Sequence, residues 1–245
     1  MPVPFSAALV VEAIKLRRSL ALLLALAAPT LVVVFVFFFI LRGAEPVPWS
    51  MALQMSAAIW AFFMLPMSVT ALTALVAHTE HGPRAWDMLR ALPVPRWHHY
   101  AAKAVGVLAI VAAMSAVLAL LTIVAVLLAG WIKPQIAATD TPDFAAYFIV
   151  LGRIFLASWL LVAVQLWIAL RHASFVPALA TGIAGTFFAV VATSAKIGVV
   201  LPWQIPINQL FPDAGRAQLA FVLGFFGGCL ALLAMLWHLA RREVA

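Results

Sequence analysis

The sequence predicts an all-α, polytopic membrane protein. It has six transmembrane helices, an N-terminal helix along the interface, and a short cytoplasmic helix between the second and third spans. Three observations predict this. Hydrophobic residues make up 67% of the 245 residues and charged residues 9%, too few to build a water-facing surface. The apolar residues come in runs of about 20 or more, the length that crosses a hydrocarbon core about 30 Å thick. The Lys and Arg residues sit at the ends of those runs, so the net charge of +7 meets lipid headgroups, and nucleic acid is not an expected partner.

The N-terminal segment 4–19 places Phe5, Ala8, Leu9, Ala13 and Leu16 at helical spacing, with Glu12, Lys15, Arg17 and Arg18 as the polar counterpart. This pattern predicts a helix lying on the membrane surface. No short apolar region with a small-residue cleavage site precedes the first full-length run, which is expected to stay as an anchor. Spans are expected over 20–41, 51–77, 100–128, 144–170, 175–194 and 218–240, forming one transmembrane domain over 1–245. Pro29 removes a backbone donor inside the first span and predicts a kink there, and the second span contains Pro66. Arg42, Gly43, Glu45, Pro46 and Pro48 form a short loop, with Trp49 as an interface anchor. Arg153 lies two turns inside the fourth run and is expected at the outer interface, with its head reaching water. Between the last two spans, Lys196, Pro202, Pro206, Pro212 and Asp213 interrupt a stretch rich in Val, Leu, Ile, Trp and Phe. Such a segment neither spans nor floats in water. A re-entrant or lid-like excursion buried against the outer ends of the spans fits both facts.

Orientation follows from the basic residues. With the N-terminus inside, the inner side carries Lys15, Arg17, Arg18, Arg84, Arg90, Arg96, Lys103, Arg171, Arg241 and Arg242, against Arg42, Lys133, Arg153, Lys196 and Arg216 outside. Both termini are therefore expected in the cytoplasm. The single Cys229 lies in an apolar run and offers no disulfide framework.

Several chemistries find no support. His78, Glu80 and His81 read HTEH, not the helical HExxH that puts two histidines on one face, so no metal site is expected. No GxSxG elbow appears, and no acidic pair lies within a span. No GxxxxGK[ST] loop is present, so the chain has no phosphate cradle for ATP and any energy must come from another subunit. The hydroxyl and amide groups inside the spans, such as Ser56, Thr70, Thr73, Ser115, Thr122, Gln165 and Thr186, are expected to make helix–helix hydrogen bonds. Gly224 and Gly228 form a GxxxG expected to pack within the subunit. Ala178, Gly182 and Thr186 are small residues one turn apart that suit packing within the subunit or a dimer contact.

The densest cluster of charge lies at 77–103. Glu80 ends the second span. Gly82 and Pro83 break the helix and start a new one. Trp86, Leu89 and Leu92 then recur at roughly helical spacing as an apolar face, opposite Arg84, Asp87 and Arg90. Pro93 and Pro95 stop the helix before Arg96. The pattern is that of a short amphipathic helix in a cytoplasmic loop, suited to a partner's groove or to the membrane surface.

Here the residues resemble a family. Glu80, His81, Trp86, Leu89, Leu92, Pro93, Val94, Arg96 and Lys103 are similar to the second-to-third-span loop of ABC type-2 permeases, especially the branch with lantibiotic and bacitracin self-immunity permeases. Glu12, Lys15, Arg17, Arg18 and Ser19, followed by Pro29, are similar to that family's opening helix, and 201–206 (LPWQIP) to its segment before the last span. Asp87 stands where the family often has a basic residue. The resemblance implies a permease subunit of an ABC exporter for an amphipathic, peptide- or lipid-like compound, with roles in antibiotic resistance or immunity. It implies two permease copies, identical or related, working in the bacterial cytoplasmic membrane with separate ATP-binding subunits. ATP and Mg would be bound there and none by this chain. The loop helix would be the coupling helix docked on the ATPase, the N-terminal helix would lie beside it, and Pro202, Trp203 and Pro206 would belong to an outer gate. A membrane enzyme acting on a lipid-linked substrate would need a convergent acidic or metal site, which the sequence does not show. A non-transporting membrane assembly protein is left open by sequence.

Overall fold

The computed structural model describes residues 4–17, 19–81, 95–192 and 196–241, with only the backbone for His81, Lys196 and Ile197. Regular structure in these residues is helical throughout. The main helices are α1 (Phe5–Arg17), α2 (Leu20–Arg42), α3 (Trp49–Ile59), α4 (Leu65–His81), α5 (Arg96–Ile132), α6 (Phe144–Ala157), α7 (Trp159–Arg171), α8 (Val176–Val191) and α9 (Ala214–Arg241).

Among the described residues, five helical stretches are long and apolar enough to cross a membrane: α2, α3 through α4, α5, α6 through α7, and α9. The expected span over 175–194 is represented by α8, an apolar helix of 16 residues. At 1.5 Å per residue it is about 24 Å long, short of a hydrocarbon core of about 30 Å. The helix expected between spans two and three, with Arg84, Trp86, Leu89, Arg90, Leu92 and Pro93, lies outside the described residues, as does Arg18.

Local chemistry explains where the long helices bend. α2 runs through Pro29 without a break. Between α3 and α4 the chain makes one π-helical turn at Trp60–Met64, where the N–H of Leu65 bonds back to the carbonyl of Trp60. Pro66 has no N–H to continue the ordinary ladder, and the widened turn absorbs the mismatch. α6 ends at Ser158, whose hydroxyl donates to the Phe155 carbonyl at 2.7 Å.

α2 packs along α5, α7 along α9, and α4 against both α7 and α8. The GxxxG sits in the second of these seams. A Cβ on Gly224 would lie 2.2 Å from the Ala157 carbonyl oxygen, and one on Gly228 would lie 2.6 Å from the Leu160 nitrogen. Both glycines therefore serve packing inside the subunit, and so does Gly182, where a Cβ would meet the Thr70 side chain at 2.1 Å. The hydroxyls of Thr70, Thr73, Ser115, Thr122 and Thr186 bond to carbonyls one turn back on their own helices. Ser56 makes an interhelical bond to the Tyr147 hydroxyl at 2.7 Å. These groups are spent on the scaffold and present no polar stripe.

The turns alternate between two ends of the bundle. One end carries α1, the close of α4 and the start of α5. The opposite end carries the α2–α3 loop, the segment between α5 and α6, and the stretch of turns and short 3-10 helices before α9.

Candidate functional site

Among the described residues, the strongest concentration of buried charge lies where α1, α4 and α5 meet. Lys103 donates to Glu12 Oε1 at 2.9 Å and Oε2 at 3.2 Å, and to Glu80 Oε1 at 2.9 Å. Lys15 donates to the same Glu80 oxygen at 2.7 Å. Lys103 and Glu80 are each 1% exposed and Glu12 5%, whereas the Lys15 side chain keeps 32% and remains in contact with water. Two ammonium and two carboxylate groups balance in charge. Isolated, each buried ion would carry a desolvation penalty of several kcal/mol; paired and hydrogen-bonded, the cluster is tolerated.

The local sequence builds this arrangement. Phe5, Leu9, Glu12 and Leu16 follow a helical stripe, and that stripe faces α5. Glu12, assigned by its polarity to the water-facing side, is thus inside, while Val10, Val11, Ala13 and Ile14 are exposed. The physical reason is its partner: Lys103 offers a charge-assisted bond that outweighs the preference for water. Gly106 makes the approach possible, because a Cβ there would meet Leu16 Cδ1 at 2.9 Å and Glu12 Cγ at 3.7 Å. Phe5 stacks on Trp97 with ring centroids 5.9 Å apart and lies edge-on to His98 at 5.5 Å, fixing the first turn of α1. Ser19 makes the corner into α2, its hydroxyl donating to the Leu16 carbonyl and accepting from the Ala21 N–H.

Of the sequence-derived candidates, the structure brings Glu12, Lys15 and Glu80 together. Arg17 and Arg96 are exposed beside them. Lys103 was only the last member of a motif by sequence and is the centre of the cluster in space. Gly106 carried no sequence signal beyond being a glycine in a span. Glu80 and Lys103 stand on either side of the 82–94 connection. The cluster therefore ties both roots of that loop to each other and to α1. His78, the first histidine of HTEH, lies against the Phe175 ring at 6.3 Å.

A second polar assembly occupies the opposite end. The stretch from 196 to 212 consists of two 3-10 turns, Lys196–Val199 and Ile207–Leu210, joined by non-repetitive chain, and its amide side chains meet backbone carbonyls within it and beside it. Gln204 Nε2 donates to Ala192 O at 3.0 Å, and Asn208 Nδ2 to Gly198 O at 3.3 Å and Gln204 O at 2.8 Å. Gln209 Nε2 reaches Ala217 O at 3.1 Å. Chain that does not run as a continuous α-helix survives in apolar surroundings only when its backbone polar groups are satisfied internally. Pro206 is buried, and Pro202 and Trp203 are half-buried. Trp203 lies across Gly185, where a Cβ would come within 2.3 Å of the indole. With the Gln165 amide oriented to satisfy both its ends, its oxygen accepts from Trp203 Nε1 at 3.2 Å and from the Gly182 N–H at 3.1 Å. The segment thus dips back to the middle of α8. Arg153 holds it from the other side, donating to Gln209 Oε1 at 3.1 Å and Gln218 Oε1 at 3.4 Å over the Phe221 ring.

Residues 8–191 match the family model described as ABC-2 family transporter protein. No curated protein and no solved structure gives a significant match.

Proposed function

The chain belongs to the ABC-2 transporter family and is a transmembrane permease, and we propose that it is the permease subunit of an ABC exporter in a bacterial cytoplasmic membrane. ATP and Mg would be handled by a separate ATP-binding subunit, and this chain would bind neither. Its substrate would be amphipathic, peptide- or lipid-like, as in the lantibiotic and bacitracin immunity branch, and two permease copies would form the pathway with both termini in the cytoplasm.

The observation that carries this reading is the buried ion cluster at the root of the 82–94 loop. The sequence gives that loop the pattern of a docking helix, with Trp86, Leu89 and Leu92 on its apolar face and Arg84 and Arg90 opposite. A helix pushed by a partner moves the spans only if the joints between them are stiff. Lys103 bonded to Glu12 and Glu80 supplies such a joint, because each ion of a buried pair holds the other in place. The segment with Pro202, Trp203 and Pro206 would act as the outer gate at the far end.

The test is a double substitution, Trp86→Glu with Leu89→Glu, in the chain co-expressed with its ATP-binding subunit. Membrane insertion should be unchanged, while co-purification of the ATPase and substrate-stimulated ATP hydrolysis should be lost. Retention of a fully stimulated ATPase by the variant would sink the coupling assignment.

A further inference from the structure

A groove of about 970 Å³ opens at the end of the bundle remote from the ion cluster, between the last turns of α2 and the α2–α3 loop. Its volume is at the upper end of the range for small-molecule sites. The wall is apolar and exposed: Leu31 is 57% exposed, Phe35 60%, Phe38 54%, Phe39 44% and Met51 48%. From Leu31 to Arg42 the wall runs about 16 Å along α2, about the depth of one leaflet's hydrocarbon. At its mouth stand Arg42 and Glu45, one cation and one anion, both exposed and without an ion-pair partner among the described residues.

The loop that forms the mouth is held at both ends. Lys133 Nζ donates to the Gly43 carbonyl at 2.9 Å. The carboxylate of Asp140 accepts from the backbone N–H groups of Trp49 and Ser50. The groove therefore exists before any ligand arrives.

We propose that this groove binds a phospholipid whose headgroup carries a phosphate and a primary ammonium. One acyl chain would lie along Leu31, Phe35, Phe38 and Phe39, Arg42 would bond the phosphate, and Glu45 would accept from the ammonium. The charge pattern makes the selection. A choline headgroup offers Glu45 no N–H, and a glycerol headgroup offers it no cation, whereas both would still place a phosphate at Arg42. The inference stands on the groove alone and does not depend on the exporter reading.

The test is native mass spectrometry of the purified full-length chain with phosphatidylethanolamine, phosphatidylcholine and phosphatidylglycerol of one acyl composition. The expected result is a preference of about three- to fivefold for phosphatidylethanolamine, the size of an exposed ion pair. Glu45→Gln should bring that lipid down to the level of phosphatidylcholine, Arg42→Gln should weaken all three, and Phe188→Ser, on the exposed face of α8, should change nothing. Equal retention of the three lipids, or a preference that both groove variants leave intact, would overturn the proposal. So would efficient cross-linking of Glu45→Cys between two chains in native membranes, which would assign the groove to a second copy. ATPase stimulation is not read, so failure here leaves the coupling assignment untouched.

Discussion

Lys103 spends its ammonium on two carboxylates from helices far apart in sequence; if it goes, Glu80 keeps its bond from Lys15 while Glu12 loses the cation it faces. Lys103→Met leaves Glu12 and Glu80 buried without their central cation. It should destabilise the chain by about 3–5 kcal/mol, read as a large fall in the thermal transition of the detergent-solubilised protein. Removing the buried ions together, with Glu12→Leu, Glu80→Leu and Lys103→Met, should recover most of that stability, since packed apolar residues replace buried pairs at little cost. Lys15 then stays in water. Under the proposed function the triple variant should be folded yet poorly coupled, with ATP hydrolysis no longer tracking transport. Asp140 gives a different test. Partial desolvation opposes its ionisation, but the N–H groups of Trp49 and Ser50 outweigh this and hold its carboxyl below the ordinary aspartate range. A depressed folded-state value means a contribution present above the unfolded value of about 3.9, and lost as pH falls through the folded value. The thermal transition should therefore drop more steeply below pH of about 4 in the native chain than in Asp140→Asn.

At the scale of elements, the glycine contacts are the sharpest constraints. Gly228→Leu would drive a side chain into the α7 backbone and should cost at least about 1–3 kcal/mol, with loss of monodisperse protein in size-exclusion chromatography. Gly106→Val should push α1 off α5 and expose Glu12, seen as faster hydrogen exchange in α1 with α9 unaffected. The long apolar helices were legible because period and length alone mark them. So was the broken stretch before α9, since five interrupting residues within an apolar run leave no room for one long helix. The face of α1 was legible only in part: Phe5, Leu9 and Leu16 pointed inward as their hydrophobicity demands, but Glu12 obeyed its ion partner instead. The π turn at Trp60–Met64 was not legible beyond the presence of Pro66, because a proline fixes which bond is missing and not how the helix repairs it.

In the whole molecule, the candidate site was visible as residues and invisible as a site. Glu12, Glu80 and Lys103 each stood in a motif, yet their convergence depends on α1 folding back along α5, which no local pattern encodes. Arg153 is the parallel case at the other end: its sequence position marks a cation inside an apolar run, while its hold on Gln209 and Gln218 required the fold. A test at this scale is Trp203→Ala, which removes the indole from Gly185 and Gln165. It should raise basal leak of a small dye through reconstituted permease while leaving ATPase co-purification intact. α5 links the two ends. It is continuous over 37 residues with no proline in its interior, about 55 Å from tip to tip. A rod of that length tilted by about 5° swings its far tip by about 5 Å, so Lys103 near one tip and Lys133 just beyond the other report on a single rigid angle. Spectroscopic labels at the two ends of α5 should consequently report one synchronous movement, with no delay between the two faces of the bilayer.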